Sequence, residues 1–276
     1  MASKAFNDVL GAAIADFAEH GYDSAERLAY WERQLRLAAE AEAGSAQDHQ
    51  ALLRRALARI MERQLSPATV ARVHPGVSRF TVDRLRPDLR GALDRRILAS
   101  ANLIRLNRPQ AVDKTLQRFS GWATAQPEGG GAKVDKRRVK KEISKPLTQL
   151  PFEERRVLID QGHKLAANIS ETVAEGANAI GGLWHSNWRQ VNYNYRVDHK
   201  ERDGLFYRVP GSWADERGLL SGPTVDDVTR PAEEPFCRCQ YRWVYALRDV
   251  PRGNLTPRGE AELDEARRRV RAMVGA

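Results

Sequence analysis

The residues best suited to chemistry are Cys237 and Cys239, the only two cysteines of the chain. One residue between them makes a disulfide too strained to expect, so they stand as thiols and point to a reducing compartment. On an extended strand, residues two apart face the same way. Cys237 and Cys239 then share a face with Tyr241, Trp243 and Tyr245, while Arg238, Gln240 and Arg242 face away. An imidazole upstream, His199 in Asp198-His199-Lys200-Glu201-Arg202-Asp203-Gly204, adds a third ligand. Two thiolates and one imidazole suit zinc, and a structural zinc is the cofactor this set implies. His185, Asp198, Asp203 or water are the candidates for a fourth position. The same three residues also fit a metal-free arrangement, with two small buried thiols on a strand beside a hydrogen-bonded core histidine.

Catalytic readings are weaker. His199-Lys200-Glu201 has the H-x-E form of zinc deaminases, but the second half reads Pro235-Phe236-Cys237-Arg238-Cys239 in place of P-C-x-x-C. Changing the spacing by one residue turns a ligand to the opposite face of a strand. Phosphate-loop, dinucleotide, H-E-x-x-H and G-x-S-x-G motifs are absent. The acidic pairs Asp226-Asp227 and Glu233-Glu234 read as solvated loop charge, because adjacent residues do not converge on one substrate. No catalytic residue is expected.

The elements that must carry the thiols and the imidazole give an α+β protein, mainly α-helical at its N-terminal end. Phe6, Val9, Leu10, Ala13, Ile14 and Phe17 form a helical stripe ending near Gly21, with Asp23 or Ser24 capping a second helix that carries Leu28, Trp31 and Leu35. A third helix is expected from near Ser45, bearing Leu53, Leu57, Ile60 and Met61, and Ser66-Pro67 ends it or starts another. The stretch 68–80 reads as a loop or short helical turn. Leu85, Leu89, Leu93 and Ile97 predict a helix to about Leu106, followed by a short one over 109–122. Residues 125–149 read as a Gly-rich and basic linker. A long helix is expected over 152–181, ended by Gly181-Gly182, then an aromatic irregular stretch from Trp184 to Tyr195. Short antiparallel strands are expected at 205–209 and 238–246, and a charged helix after Pro257. The expected division is therefore 1–124 helical, 125–149 linker, 150–254 a small α+β domain, and 255–276 a terminal helix.

The chain has 276 residues, 42% hydrophobic and 29% charged, which is enough for a packed core. No apolar run is long enough to span a membrane, and the first residues lack an apolar export core. The net charge of +9 is concentrated in the middle: residues 51–120 hold 14 arginines and 1 lysine against 5 acids. That composition fits either a solvated helix face or a surface lying against phosphate. Lys133, Lys136, Arg137, Arg138, Lys140 and Lys141 extend the positive run into the linker and are the candidate DNA-contacting residues, in an extended conformation.

The order of these parts resembles the phage head-morphogenesis family, the Mu protein F-like minor head proteins. The corresponding parts are the helix 152–181, the aromatic stretch Trp184 to Tyr195, His199 ahead of Gly204 and Phe206, the loop Pro231 to Pro235, and Cys237-Arg238-Cys239. The resemblance covers roughly 150–250. It implies a non-enzymatic, portal-associated minor head protein that joins the procapsid in the host cytoplasm during capsid morphogenesis and remains in the virion. The partners it implies are the portal protein, other head subunits and packaged double-stranded DNA bound without sequence preference, with multiple copies per particle. The competing class is a nucleic-acid-acting zinc- or metal-dependent nuclease or hydrolase.

Overall fold

A computed structural model describes residues 4–43, 46–130 and 133–274. Ser45, expected near the start of the third helix, and Gly131 of the linker lie outside the described residues. The fold is α+β and mainly helical, with one three-stranded antiparallel sheet in the C-terminal region. Two compact units are each drawn from two stretches of chain, 1–53 with 98–158 and 54–97 with 159–276.

The first unit is helical. Helices α1 (Lys4–His20) and α2 (Ala25–Ala43) pack with the later part of α5 (Arg79–Ala123) and the first part of α6 (Lys136–Gly176). The stripe expected on α1 is buried: Phe6, Leu10, Ala13, Ile14 and Phe17 line the core, and Phe17 meets Phe119 edge-on. Gly21 ends α1 in the left-handed conformation that favours glycine, and the Ser24 hydroxyl caps α2 by accepting from Arg27 N–H.

Three sequence expectations are corrected in the helices. The helix over 85–106 and the short one over 109–122 are one element, α5, which passes through Pro87 and Pro109. Ser66-Pro67 starts another helix, one of the two readings expected: Pro67–Val73 forms α4, with the Ser66 hydroxyl accepting from Thr69 N–H. The basic segment from Lys136 is the start of α6 and not an extended linker. Val139, Ile143, Leu147 and Leu150 repeat at helical spacing and pack into the first unit's core, and that burial outweighs the cost of Pro146 and Pro151 inside the helix. The same helix ends at Gly176, short of the expected 181.

The second unit holds the sheet, in the order β2 (Phe206–Arg208), β1 (Gly181–His185), β3 (Gln240–Val244). β2 and β3 fall within the expected segments. β1 corrects the reading of Gly181-Gly182 as a helix end. Gly182 stands opposite Tyr207 and Trp243, and a Cβ there would lie 2.9 Å from the Tyr241 ring. The glycine pair is what lets aromatic residues of both neighbouring strands close over the central strand. Trp184, Tyr207, Tyr241, Trp243, Cys237 and Cys239 share one apolar cluster. A second cluster on Ile180, Phe206, Leu219 and Val244 includes Leu263 of α9 (Pro257–Val274). No helix among the described residues is long and apolar enough to cross a membrane.

A buried polar chain crosses this unit. His74, at the end of α4, is 4% exposed, with Nδ1 2.7 Å from the Tyr245 hydroxyl and Nε2 3.3 Å from Ser170 Oγ. Ser170 Oγ also accepts from Trp243 Nε1 at 2.8 Å. A neutral imidazole satisfies both neighbours, and burial lowers the His74 pKa from 6.5 to about 4. The folded value lies below the unfolded one, so the folded chain binds fewer protons between these values. The associated stability is complete above about pH 6.5 and is lost as pH falls towards 4. The linkage amounts to about 3 kcal/mol at most. Denaturation midpoints measured at pH 7.5 and pH 4.5 should differ more in the native chain than in a His74→Asn variant, whose pH slope lacks this contribution.

Candidate metal centre

His199 lies on the single-turn helix α7 (Val197–Glu201), and its ring is buried at 1% exposure. Cys237 and Cys239, at 1% and 4%, sit in the extended segment that runs into β3. They precede the strand instead of lying on it, but the alternation holds: positions 237, 239, 241 and 243 are buried, while 240 and 242 are exposed. The expected common face of the thiols and the aromatic residues is present.

The three side chains meet. His199 Nδ1 is 3.5 Å from Cys237 Sγ and 3.5 Å from Cys239 Sγ, and the three ligand atoms lie within 4.8 Å of one another. This His–Cys–Cys cluster has the donors and spacing to hold a metal ion. Trp184 packs edge-on against the imidazole, with ring centres 5.4 Å apart, and fixes its plane.

The loop ahead of Cys237 is bent by two non-glycine residues in the left-handed region, Ala232 at φ 65° and Phe236 at φ 61°. The bend aims Ala232 N–H at Cys237 Sγ, at 3.3 Å. Asp160 on α6 accepts from Phe236 N–H at 2.6 Å and ties the loop to the helix. The adjoining Cys239 thiol, with help from Ala232 N–H and the His199 charge, lowers the Cys237 thiol from 9.0 to about 6. The Cys237 thiol beside it, together with burial, pushes the Cys239 thiol upward. The two thiols therefore lose their protons as a pair, Cys237 first.

None of the residues expected in a fourth position joins the cluster. Asp203 accepts from Ser186 N–H at 2.8 Å and from Trp188 Nε1 at 3.0 Å, which commits it to the 186–188 turn. His185 is exposed and lies 3.8 Å from the same carboxylate. Asp198 pairs with Arg202 at 2.8 Å. The Ser186 hydroxyl accepts from the Cys239 thiol at 3.8 Å.

Glu234 is a further correction to the expectation that Glu233-Glu234 is solvated loop charge. Its Oε2 lies 3.0 Å from His199 Nε2, an ion-pair distance at an angle short of a hydrogen bond, and 2.9 Å from Arg196 Nε. The imidazole thus turns one nitrogen to the sulfurs and the other to a carboxylate, the arrangement that orients metal-ligating histidines. Glu233 instead accepts from Arg230 N–H, and Asp226 pairs with Arg230, so the remaining members of the two acidic pairs are surface charge as expected.

The candidate DNA-contacting residues are elsewhere in the fold. Lys136, Arg137, Arg138, Lys140 and Lys141 occupy the first turns of α6, with Lys133 ahead of them. The Asp135 carboxylate caps this helix, accepting from Arg137 and Arg138 N–H at 3.1 Å each. All are exposed except Lys140, which is half-buried. Many arginines of 51–120 have carboxylate partners, including Arg54 with Asp94, Arg86 with Glu62 and Asp83, and Arg108 with Glu154. Comparison with protein-family models, with curated proteins and with solved structures found no match to this chain.

Proposed function

We propose that the chain is a non-enzymatic minor head protein of a phage, acting in capsid morphogenesis, and that zinc held by His199, Cys237 and Cys239 locks its C-terminal module. The observation that carries this reading is the convergence of the imidazole and the Cys-Arg-Cys pair, the residues on which the family resemblance turns, into one buried group. Zinc fits the donor set, and a bound ion would displace the thiol protons. A ligand group nine-tenths or more buried inside an aromatic core suits a structural ion better than one that must admit substrate.

The basic face at the start of α6 supplies the contact to packaged DNA. Lys136, Arg137 and Arg138 put three positive charges at the positive end of a helix dipole, an arrangement relieved by bound phosphate. Portal and head subunits are the protein partners, and the virion is the site of residence.

A second reading is favoured by one observation: three converging protein ligands are also the set of a catalytic zinc, whose fourth position holds water. The chain would then be a zinc- or metal-dependent nuclease or hydrolase. Cleavage of plasmid or single-stranded DNA by the zinc- or magnesium-supplemented protein would favour that reading over the first.

The assembly reading is tested in particles and in solution. The chain should be found in purified procapsids and virions, adjacent to the portal by electron microscopy. Its affinity for duplex DNA should fall steeply with salt, and the slope of log K against log salt should lose roughly 0.9 for each phosphate-contacting cation replaced among Lys136, Arg137, Lys140 and Lys141. Absence from particles, or DNA binding indifferent to salt, would defeat it.

A further inference from the structure

The second unit contains a cavity of about 350 Å³, in the size range of small-molecule sites. Its walls come from the end of α3 (Ala46–Gln64), from α6, and from the segment Arg238 to Trp243. Two guanidiniums face it. Arg63 has no ion pair among the described residues. Arg238 touches only neutral partners, donating to Gln190 Oε1 at 3.1 Å and lying over the Tyr193 ring. Both are close enough to His163, which also lines the cavity, to disfavour its protonation in addition to burial.

The nearby acids are already engaged. Asp160 meets Lys164 at 3.2 Å and Phe236 N–H, and Glu171 lies 3.7 Å from Arg230. Glu171 lines the cavity at its other end, whereas the Arg63–Arg238 end carries unbalanced positive charge on one exposed and one half-buried guanidinium. A second observation is independent of charge. Tyr241, 4% exposed, lines the same cavity, and its hydroxyl is buried with no hydrogen-bond partner among the described residues. A buried polar group without a partner is costly, and a ligand acceptor would relieve that cost. Ile60, Ile159 and Trp243 give the remaining wall an apolar character.

We propose that this cavity binds a small organic anion, a phosphate or carboxylate carried on a compact apolar body. Arg63 and Arg238 take the charged group. Tyr241 donates a hydrogen bond from its hydroxyl, and Ile60, Ile159 and Trp243 cover the apolar body. This assignment rests neither on the assembly reading nor on zinc.

Calorimetric titration of the full chain with inorganic phosphate, phenyl phosphate and benzoate tests it, and the tighter of the two aromatic anions identifies the head group. One of them should bind saturably and about tenfold or more tighter than inorganic phosphate, a gain of about 1.4 kcal/mol from the apolar body. Arg63→Ala should weaken that binding by about tenfold, and Tyr241→Phe, which keeps the ring, by about threefold to tenfold. Arg248→Ala, on a residue outside the cavity, should leave it unchanged. The proposal is overturned if neither aromatic anion saturates in the millimolar range, if inorganic phosphate binds equally well, or if Arg63→Ala, with its far-UV spectrum intact, binds as the native chain does.

Discussion

Removing the proposed zinc with a chelator, or replacing Cys237 by Ser, is expected to open the sheet region of the second unit while the first unit keeps its helices. The ligands come from α7 and from the segment before β3, 38 residues apart in sequence, so an ion closing them ties together two stretches that otherwise meet through packing and the Glu234 contacts with Arg196 and His199. Structural zinc supplies about 10 kcal/mol or more in peptides that have no other source of order. The aromatic cluster around Trp184, Tyr241 and Trp243 provides part of the order here, so the expected loss is smaller, at least about 3 kcal/mol. Hydrogen exchange read by mass spectrometry checks the location. Amides of 181–185, 206–208 and 237–244 should lose protection, while those of 6–17 should not. Glu234→Gln keeps all three ligands and should weaken zinc about 10- to 100-fold through the orientation of His199. Less than one zinc per chain in untagged protein, or unchanged exchange in Cys237→Ser, would remove zinc from the account and leave a buried-thiol core.

The second large effect is expected at Trp184. Its side chain is 1% exposed and touches His199, Tyr207 and Tyr241. Truncation to Ala should cost about 3–5 kcal/mol in urea denaturation of the second unit, since the space left sits between two strands and a helix that cannot all close on it. The indole nitrogen is buried without a hydrogen-bond partner among the described residues, so Trp184→Phe forfeits volume but no hydrogen bond and should cost much less. A large loss on Trp184→Phe comparable to Trp184→Ala would mean that the nitrogen has a partner, such as a buried water. Trp184→Ala should also weaken metal binding, because the imidazole plane loses the ring against which it rests.

These two sites show which parts of the arrangement could be read in sequence. The alternation from Cys237 to Trp243 is a local, period-two signal, and it survived even though the strand itself begins only at Gln240. The meeting with His199 could be inferred from chemistry, because an imidazole added to two thiolates makes a zinc ligand set. Glu234 was hidden: its approach to His199 depends on left-handed backbone at Ala232 and Phe236, and neither residue type announces that conformation. β1 was hidden for a related reason. Gly181-Gly182 usually punctuates a helix, and its role here is to make room for the Tyr241 and Phe206 rings, which are distant in sequence. The start of α6 is masked by composition, because a density of Lys and Arg outweighs the helical signal of the buried Ile143, Leu147 and Leu150. The cavity could not be foreseen, because Arg63, His163 and Arg238 are brought together only by tertiary packing.

Because each unit is assembled from two separated stretches of chain, neither can be excised with a single cut. A fragment beginning near residue 150 would carry Ser170, Trp243 and Tyr245 but not His74, and would lack the Val73 side chain that packs into the sheet's apolar cluster. Fusions or truncations that treat the last third as a severable module would therefore leave a tyrosine hydroxyl and a serine without their shared partner, and proteolysis between residues 125 and 135 would nick the molecule without releasing an autonomous half.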